Sequence, residues 1–218
     1  METLSTINIT GPDAFTFLQG QLTNDLRRLA DEDEILAAWC NPKGRVIWFG
    51  TVRAIEDGYC LSAPTETAGD IVSRLTMFRF RAKVTFDLVN VDQTVDPAFL
   101  VANGIPYIGR DQVEGFTPHM LNLDLLGAIS LDKGCYTGQE VVARTHYRGA
   151  TKRRTLRFEC AANLATGDKV QLDGRDVGEV LNTAGSELLA VVPFDQADAA
   201  LTARGSQLVR LPTPYLEN

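Results

Sequence analysis

After Gly149 the chain turns into a succession of short strand-like runs, and this tail constrains the fold more than any other stretch. The runs at 156–160, 169–172, 177–181 and 188–192 draw on Leu, Val and Phe. Asp173-Gly174 and Ala184-Gly185 supply turns between them. Strands this short need partners on both sides, and closing on themselves removes their open edges. Residues 151–218 are therefore predicted to form a small β-rich domain of barrel type.

The preceding stretch has a different texture. Gly11-Pro12-Asp13 reads as a helix start, with Phe15, Leu18 and Leu22 following at helical spacing. Residues 35–40 and 46–49 read as the strands of a hairpin whose turn is Asn41-Pro42-Lys43-Gly44. Asp57-Gly58 turns the chain into a strand at 59–63. Ile71, Val72 and Leu75 predict a helix across 65–77, and 84–91 reads as a strand. Strand, strand, helix, strand is the pattern of an α+β layer. Residues 92–131 are broken by Pro97, Gly104, Pro106, Gly109 and Pro118 and read as irregular connection.

The bulk properties exclude several classes. At 218 residues, 44% hydrophobic and 22% charged, the composition is that of a soluble globular protein with enough chain for a real core. A net charge of −7 counts against nucleic-acid binding through bulk charge, though it permits a local basic patch. The N-terminus lacks the basic start and apolar run of a signal peptide, and no apolar stretch reaches membrane-spanning length. Cys40, Cys60, Cys135 and Cys160 form no CxxC pair. Neither zinc-finger spacing nor a disulfide framework results, and the expected compartment is a reducing cytoplasm.

The densest chemistry is Lys133-Gly134-Cys135-Tyr136-Thr137-Gly138-Gln139-Glu140. Thr137 and Glu140 have capping-box spacing ahead of Val141, Val142 and Ala143, which predicts a helix starting there. Cys135 would then lie about two residues outside a helix N-terminus, near Lys133, where a thiolate is favoured. The plainer reading is a glycine turn holding an idle buried thiol. Arg144, His146, Arg148, Lys152, Arg153, Arg154 and Arg157 follow without an intervening acid. They make either an anion site or a solvated face. Gln19-Gly20-Gln21-Leu22-Thr23-Asn24-Asp25 is a polar cluster suited to a polar heterocycle, or to ending one helix and capping the next element. Lys43 and Arg45 place two cations at the hairpin tip, where a plain soluble turn is the common outcome. A Cys135–His146 nucleophile–base pair lacks an identifiable orienting acid.

Residues 133–140, followed by Arg144, resemble the signature of the YgfZ family of folate-binding proteins, Lys-Gly-Cys-aromatic-any-Gly-Gln-Glu and then a basic residue. Every fixed position matches. Residues 17–25 resemble the family's N-terminal block, 40–45 its second block, and Arg148-Gly149 with the basic run fits the segment after the signature. The family is similar in fold to the T-protein of the glycine cleavage system, an aminomethyltransferase that uses tetrahydrofolate. The resemblance implies an α+β, T-protein-like folate-binding fold of small domains around a central hole, with a C-terminal β-barrel. It divides the chain into a region at 1–150, with a ferredoxin-like part near 35–91, and a barrel at 151–218.

The implied cofactor is tetrahydrofolate or a one-carbon derivative. Gln19, Gln21, Thr23, Asn24, Asp25, Lys43, Arg45, Gln139, Glu140, Arg144 and Arg148 are the implied binding positions. Cys135 is the implied reactive thiol, with Lys133 beside it and no metal. Implied partners are iron–sulfur enzymes or cluster-assembly proteins, with an indirect link to tRNA through enzymes that thiomethylate it. Two alternatives stand beside this accessory role: a folate-dependent aminomethyl or one-carbon transferase, and an RNA- or protein-binding module. Whether a reaction is catalysed is left open by the residues. T-proteins carry an acid in the strand after the equivalent hairpin, and residues 43–49 contain none, which counts against their mechanism.

Overall fold

The computed structural model describes residues 1–149 and 151–216, and of residues 90–92 the backbone alone. Strands β1 (Glu2–Thr10), β2 (Ile35–Cys40), β3 (Val46–Ile55), β4 (Gly58–Pro64) and β5 (Thr85–Val95) form an antiparallel sheet in the order β2-β3-β4-β1-β5. Helices α1 (Ala14–Gln19) and α2 (Thr65–Phe78) pack on one face. Trp39, Trp48, Ile7, Leu61 and Leu75 meet there, each essentially sealed from solvent. Each such burial contributes on the order of 2 kcal/mol.

The expected strand–turn–strand pattern at 35–63 forms, and the helix expected at 65–77 is α2. Strand β1 is absent from the sequence reading, yet it lies inside the sheet between β4 and β5. Only Ile7 and Ile9 are large apolar residues on its buried positions. Its alternation is therefore weak, and hydrogen-bonded ladders on both sides hold it in place. The first helix also differs. It ends at Gln19, so Leu22 lies beyond it. Phe17 is buried, whereas Phe15 is 40% exposed.

Strand β2 is covered on both faces. Ile35, Ala37 and Trp39 face the helices, while Ala38 and Cys40 enter a second cluster. That cluster contains Val101, Ile108, Phe116, Leu121 and Leu123, together with Leu181, Leu189 and Val191. The stretch expected to be irregular thus fills the space between sheet and tail as core. It carries α3 (Pro97–Ala102), which Asp96 caps by accepting from Ala98 N at 2.9 Å. Helix α4 (Gln139–Arg148) follows the signature and ends at Gly149, whose φ of 60° suits a left-handed C-cap.

The tail is a closed barrel, as expected. Strands β6 (Arg153–Cys160), β7 (Lys169–Leu172), β8 (Arg175–Ala184), β9 (Glu187–Pro193), β10 (Thr202–Ala203) and β11 (Ser206–Leu211) close in the order β10-β11-β6-β9-β8-β7. Leu156, Phe158, Val170, Val180, Ala190 and Leu208 fill the interior. The sequence reading contains β6 to β9 but neither closing strand. β10 is only two residues long, and the run of β11 is interrupted by Arg210. Residue 150, at the expected boundary, and residues 217 and 218, at the end of the expected barrel domain, lie outside the described residues. Among the described residues no helix is long and apolar enough to cross a membrane. No group of three or more His, Cys, Asp or Glu side chains there could hold a metal ion.

Candidate functional site

The signature loop folds as alternating anchors and exposed positions. Lys133 is buried, and its Nζ donates to the carbonyls of Leu22 at 2.6 Å and Asn24 at 2.8 Å. The ammonium also lies over the Tyr136 ring, 5.1 Å from its centroid. Burial brings the Lys133 pKa down to about 8; the charge of Asp25 opposes this and that of Arg27 adds to it. Tyr136 points inward with its hydroxyl buried and without a hydrogen-bond partner among the described residues. Burial pushes that phenol up, and Cys40 adds to the effect. Thr137 N donates to the Gly20 carbonyl at 3.3 Å, and its Oγ1 to Gln21 Oε1 at 3.3 Å. Cys135 is exposed between these anchors, whereas Cys40, Cys60 and Cys160 are buried. Burial pushes the Cys40 thiol up to about 12.

Gly138 seats the loop on the hairpin tip. Its φ is 83°, and a Cβ there would fall 2.5 Å from the Asn41 carbonyl oxygen and 3.3 Å from Gly44 Cα. Gly44, with φ 69°, would in turn drive a Cβ to within 2.8 Å of Val141 Cβ. Two glycines therefore let the start of α4 touch the turn between β2 and β3.

The expected capping box does not form. The N-cap is Gly138, which has no side chain, and the Thr137 hydroxyl is spent on Gln21. Cys135 lies three residues before that cap, not two. No hydrogen bond joins Lys133 to Cys135, because the ammonium is held on two carbonyls inside the fold. Gln139 is half-buried at the start of α4, and Glu140 is exposed beside it.

The polar cluster at 19–25 is stitched into the protein. Thr23 is fully buried, donating to the Ala128 carbonyl at 2.7 Å and accepting from Ala38 N at 2.9 Å. Asn24, also fully buried, donates to the carbonyls of Leu36 and Gly127. Gln21 accepts from Trp39 Nε1 at 3.3 Å. Gln19 donates to Asp25 at 2.8 Å and accepts from Leu26 N at 3.0 Å. Asp25 caps a short 3-10 helix, Leu26–Ala30, by accepting from Arg27 N at 3.0 Å, and its carboxylate is gripped by the Arg27 guanidinium. The reading that these residues end one helix and cap the next element describes Gln19 and Asp25 directly.

The Arg27 guanidinium holds the Asp25 carboxyl well below the ordinary carboxylate range. A depressed carboxyl contributes stability that is in place above about pH 4 and lost as pH falls further. Asp25→Ala is expected to cost about 1 kcal/mol at neutral pH, the usual worth of such a cap. Urea titrations of both proteins at neutral and acid pH check this: the difference should shrink on acidification.

The basic run divides. Arg154 forms a half-buried pair with Asp124 at 2.6 Å, and Arg157 pairs with Glu187 at 2.6 Å. The Arg153 guanidinium donates to the Val177 carbonyl. Arg144, Arg148 and Lys152 form no ion pair among the described residues, and Arg144 and Arg148 stand on the exposed face of α4. At the hairpin tip, Arg45 donates to the Gly115 carbonyl at 2.5 Å, while Lys43 is exposed.

A cleft of about 800 Å³ opens between the 117–120 turn, α4 and the barrel rim. Thr117, Thr145, Thr151, Lys152, Arg153 and Phe194 are among its lining residues. A second cleft of about 250 Å³ adjoins it, sharing Met120 and Arg153 and reaching Arg45. Of the sequence-predicted positions, Lys152 and Arg153 of the basic run and Arg45 of the hairpin tip reach this system. Lys43 lines a neighbouring open surface with Arg45 and Glu114, and Cys135, Arg144 and Arg148 line neither cleft. Gln196 lines the larger cleft, with a buried Oε1 that lacks a partner among the described residues. His119, in the same 117–120 turn, is 2% exposed, with both ring nitrogens unpartnered there. The sequence reading contains neither Gln196 nor Thr145 nor Phe194. They come from separate segments, and no spacing links them.

Similarities to known proteins bear on the fold. Residues 152–214 match the family model described as CAF17, C-terminal beta-barrel domain. A "tRNA-modifying protein YgfZ" of Edwardsiella ictaluri is 27% identical, with 96% of this chain and 89% of that protein covered. An uncharacterized protein of Haemophilus influenzae is 29% identical over 70% of each chain. In fold, the chain is similar to the glycine cleavage system aminomethyltransferase T of Bartonella henselae, with a TM-score of 0.66 at 12% identity. That likeness covers 97% of this chain and 83% of the other. With an intact signature, a matching barrel and relatives aligned along nearly its whole length, the chain is similar to the YgfZ proteins and has the T-protein fold.

Proposed function

We propose that the protein is a tetrahydrofolate-binding accessory factor for iron–sulfur enzymes, tRNA-modifying ones among them. The observation that carries this reading is the cleft of about 800 Å³ in a T-protein fold, a size suited to a cofactor. Its lining fits a folate. Lys152 and Arg153 suit the carboxylates of the glutamate tail. The hydroxyls of Thr117, Thr145 and Thr151 suit the donors and acceptors of a pterin ring. When bound, the cofactor supplies a carrier for one-carbon units. The naming of relatives as tRNA-modifying supports the link to that chemistry.

Cys135 serves as the exposed nucleophile or transient ligand. A lone thiolate does not hold a cluster, because clusters take four ligands, so a partner provides the rest. Anchoring by Lys133 and Gly138 presents the thiol at a defined place on the surface. The transferase alternative is weaker here: Asp25 is committed to Arg27 and Gln19, and β3 carries no carboxylate.

Calorimetric titration with tetrahydrofolate tests the cofactor. Saturable binding at one site is expected, and a flat titration would remove the folate role. Thiol titration with an aromatic disulfide tests the cysteine. One fast equivalent is expected in the folded protein, absent in Cys135→Ala, with three further thiols reacting only on unfolding. A Cys135 inert until unfolding would sink its assignment.

A further inference from the structure

We infer that the outer face of α4 binds single-stranded RNA, with phosphates on Arg144 and Arg148 and a base stacked on Tyr147. The three residues lie at helical spacing on one exposed face. Tyr147 is 74% exposed, leaving most of an aromatic ring in water. It is not a loose side chain. His119, His146 and Tyr147 form a row of rings with centroids 6.0 and 5.4 Å apart, running from a buried histidine out to the exposed tyrosine. His146 meets Tyr147 edge-on at 90°, which orients the outer ring.

The arginines of this face, Arg144 and Arg148, are unpaired among the described residues, in a chain whose net charge is −7. Arg154 and Arg157, from the same basic run, are paired. Glu140, one turn before Arg144, is the acid on this face, and it forms no ion pair with Arg144. Cations in a last helical turn also complement the macrodipole, but that effect gives no reason to hold a tyrosine ring outward among them. Guanidinium groups beside an oriented aromatic ring are the elements that bind flexible strands: charge tracks the phosphates and the ring stacks a base. A duplex buries its bases and cannot use Tyr147 in this way.

This inference stands apart from the folate reading, because Arg144, Tyr147 and Arg148 do not line the cleft. Fluorescence anisotropy of the full chain with a labelled oligouridine measures it, while calorimetry with tetrahydrofolate reads the other site. With the two arginines engaged, the plot of log affinity against log salt should have a slope of about −1.4. Tyr147→Ala should weaken binding about ten-fold without changing that slope. Arg144→Gln with Arg148→Gln should flatten the slope to about zero. All three positions are exposed, and circular dichroism melts verify that the variants stay folded. No binding at low salt overturns the inference. So does equal binding of a duplex, or competition by polyglutamate with Tyr147→Ala unchanged; the last result would mark the face as a dock for an acidic protein.

Discussion

Gly138→Ala is expected to destabilise the protein by about 3 kcal/mol. About 1–2 kcal/mol comes from forcing an L-residue into the left-handed region, where φ is now 83°. The remainder comes from a Cβ that would sit 2.5 Å from the Asn41 carbonyl, a backbone atom that cannot swing away. For a chain of this size the melting temperature should fall by roughly 10 °C. Gly134→Ala is the internal control. Gly134 has nothing within 4 Å of its would-be Cβ and no positive φ, so its melting temperature should barely move. Equal losses in the two variants would mean that the loop is not seated on the hairpin as described. The same substitution at Gly138 should slow or abolish any activity that depends on a fixed Cys135, because it unseats the loop that presents the thiol.

Lys133→Ala is the second large effect, again about 3 kcal/mol. It opens a cavity under Tyr136 and removes the donor that serves the Leu22 and Asn24 carbonyls. Lys133→Met keeps the stem and should lose about half as much. The pH dependence has a defined sign. Burial lowers the Lys133 pKa to about 8, against about 10.4 for a free lysine. Between those values the unfolded chain binds more protons than the folded one, so this residue's contribution makes stability rise with pH. Below about pH 8 both states are charged and the contribution is constant. Urea midpoints from pH 7 to pH 10 should therefore rise less steeply in Lys133→Met than in the native protein. Parallel curves would refute the burial of this ammonium.

The site shows where reading residues in order succeeds. The loop at 133–140 and the hairpin tip at 41–45 were each visible as motifs, and the structure brings them into contact through Gly138 and Gly44. Their contact is not visible in either motif, because close approach of two backbones leaves no side-chain pattern. The polar cluster at 19–25 illustrates the opposite hazard. Its residue types suit a heterocycle, yet Thr23 and Asn24 spend their hydrogen bonds on carbonyls and an amide of neighbouring strands and loops. Burial decides between the two uses, and a list of polar residues carries no burial. The basic run is similar: one linear stretch separates into paired Arg154 and Arg157 and unpaired Arg144 and Arg148, because a strand and a helix aim their side chains at different surroundings.

By itself the sequence determined what is local. Turn residues and apolar alternation placed the hairpin, α2 and four of the six barrel strands, since dihedral preference and periodicity act over a few residues. The signature pointed to a family for the same reason, being eight consecutive positions. Tertiary structure alone decided the rest. It slotted the weakly patterned β1 between β4 and β5, turned the irregular stretch at 92–131 into core, and drew Lys133 inward while leaving Cys135 outside. Each of these outcomes depends on which distant surface is available to cover a residue, and that is set only when sheet, connection and barrel pack together.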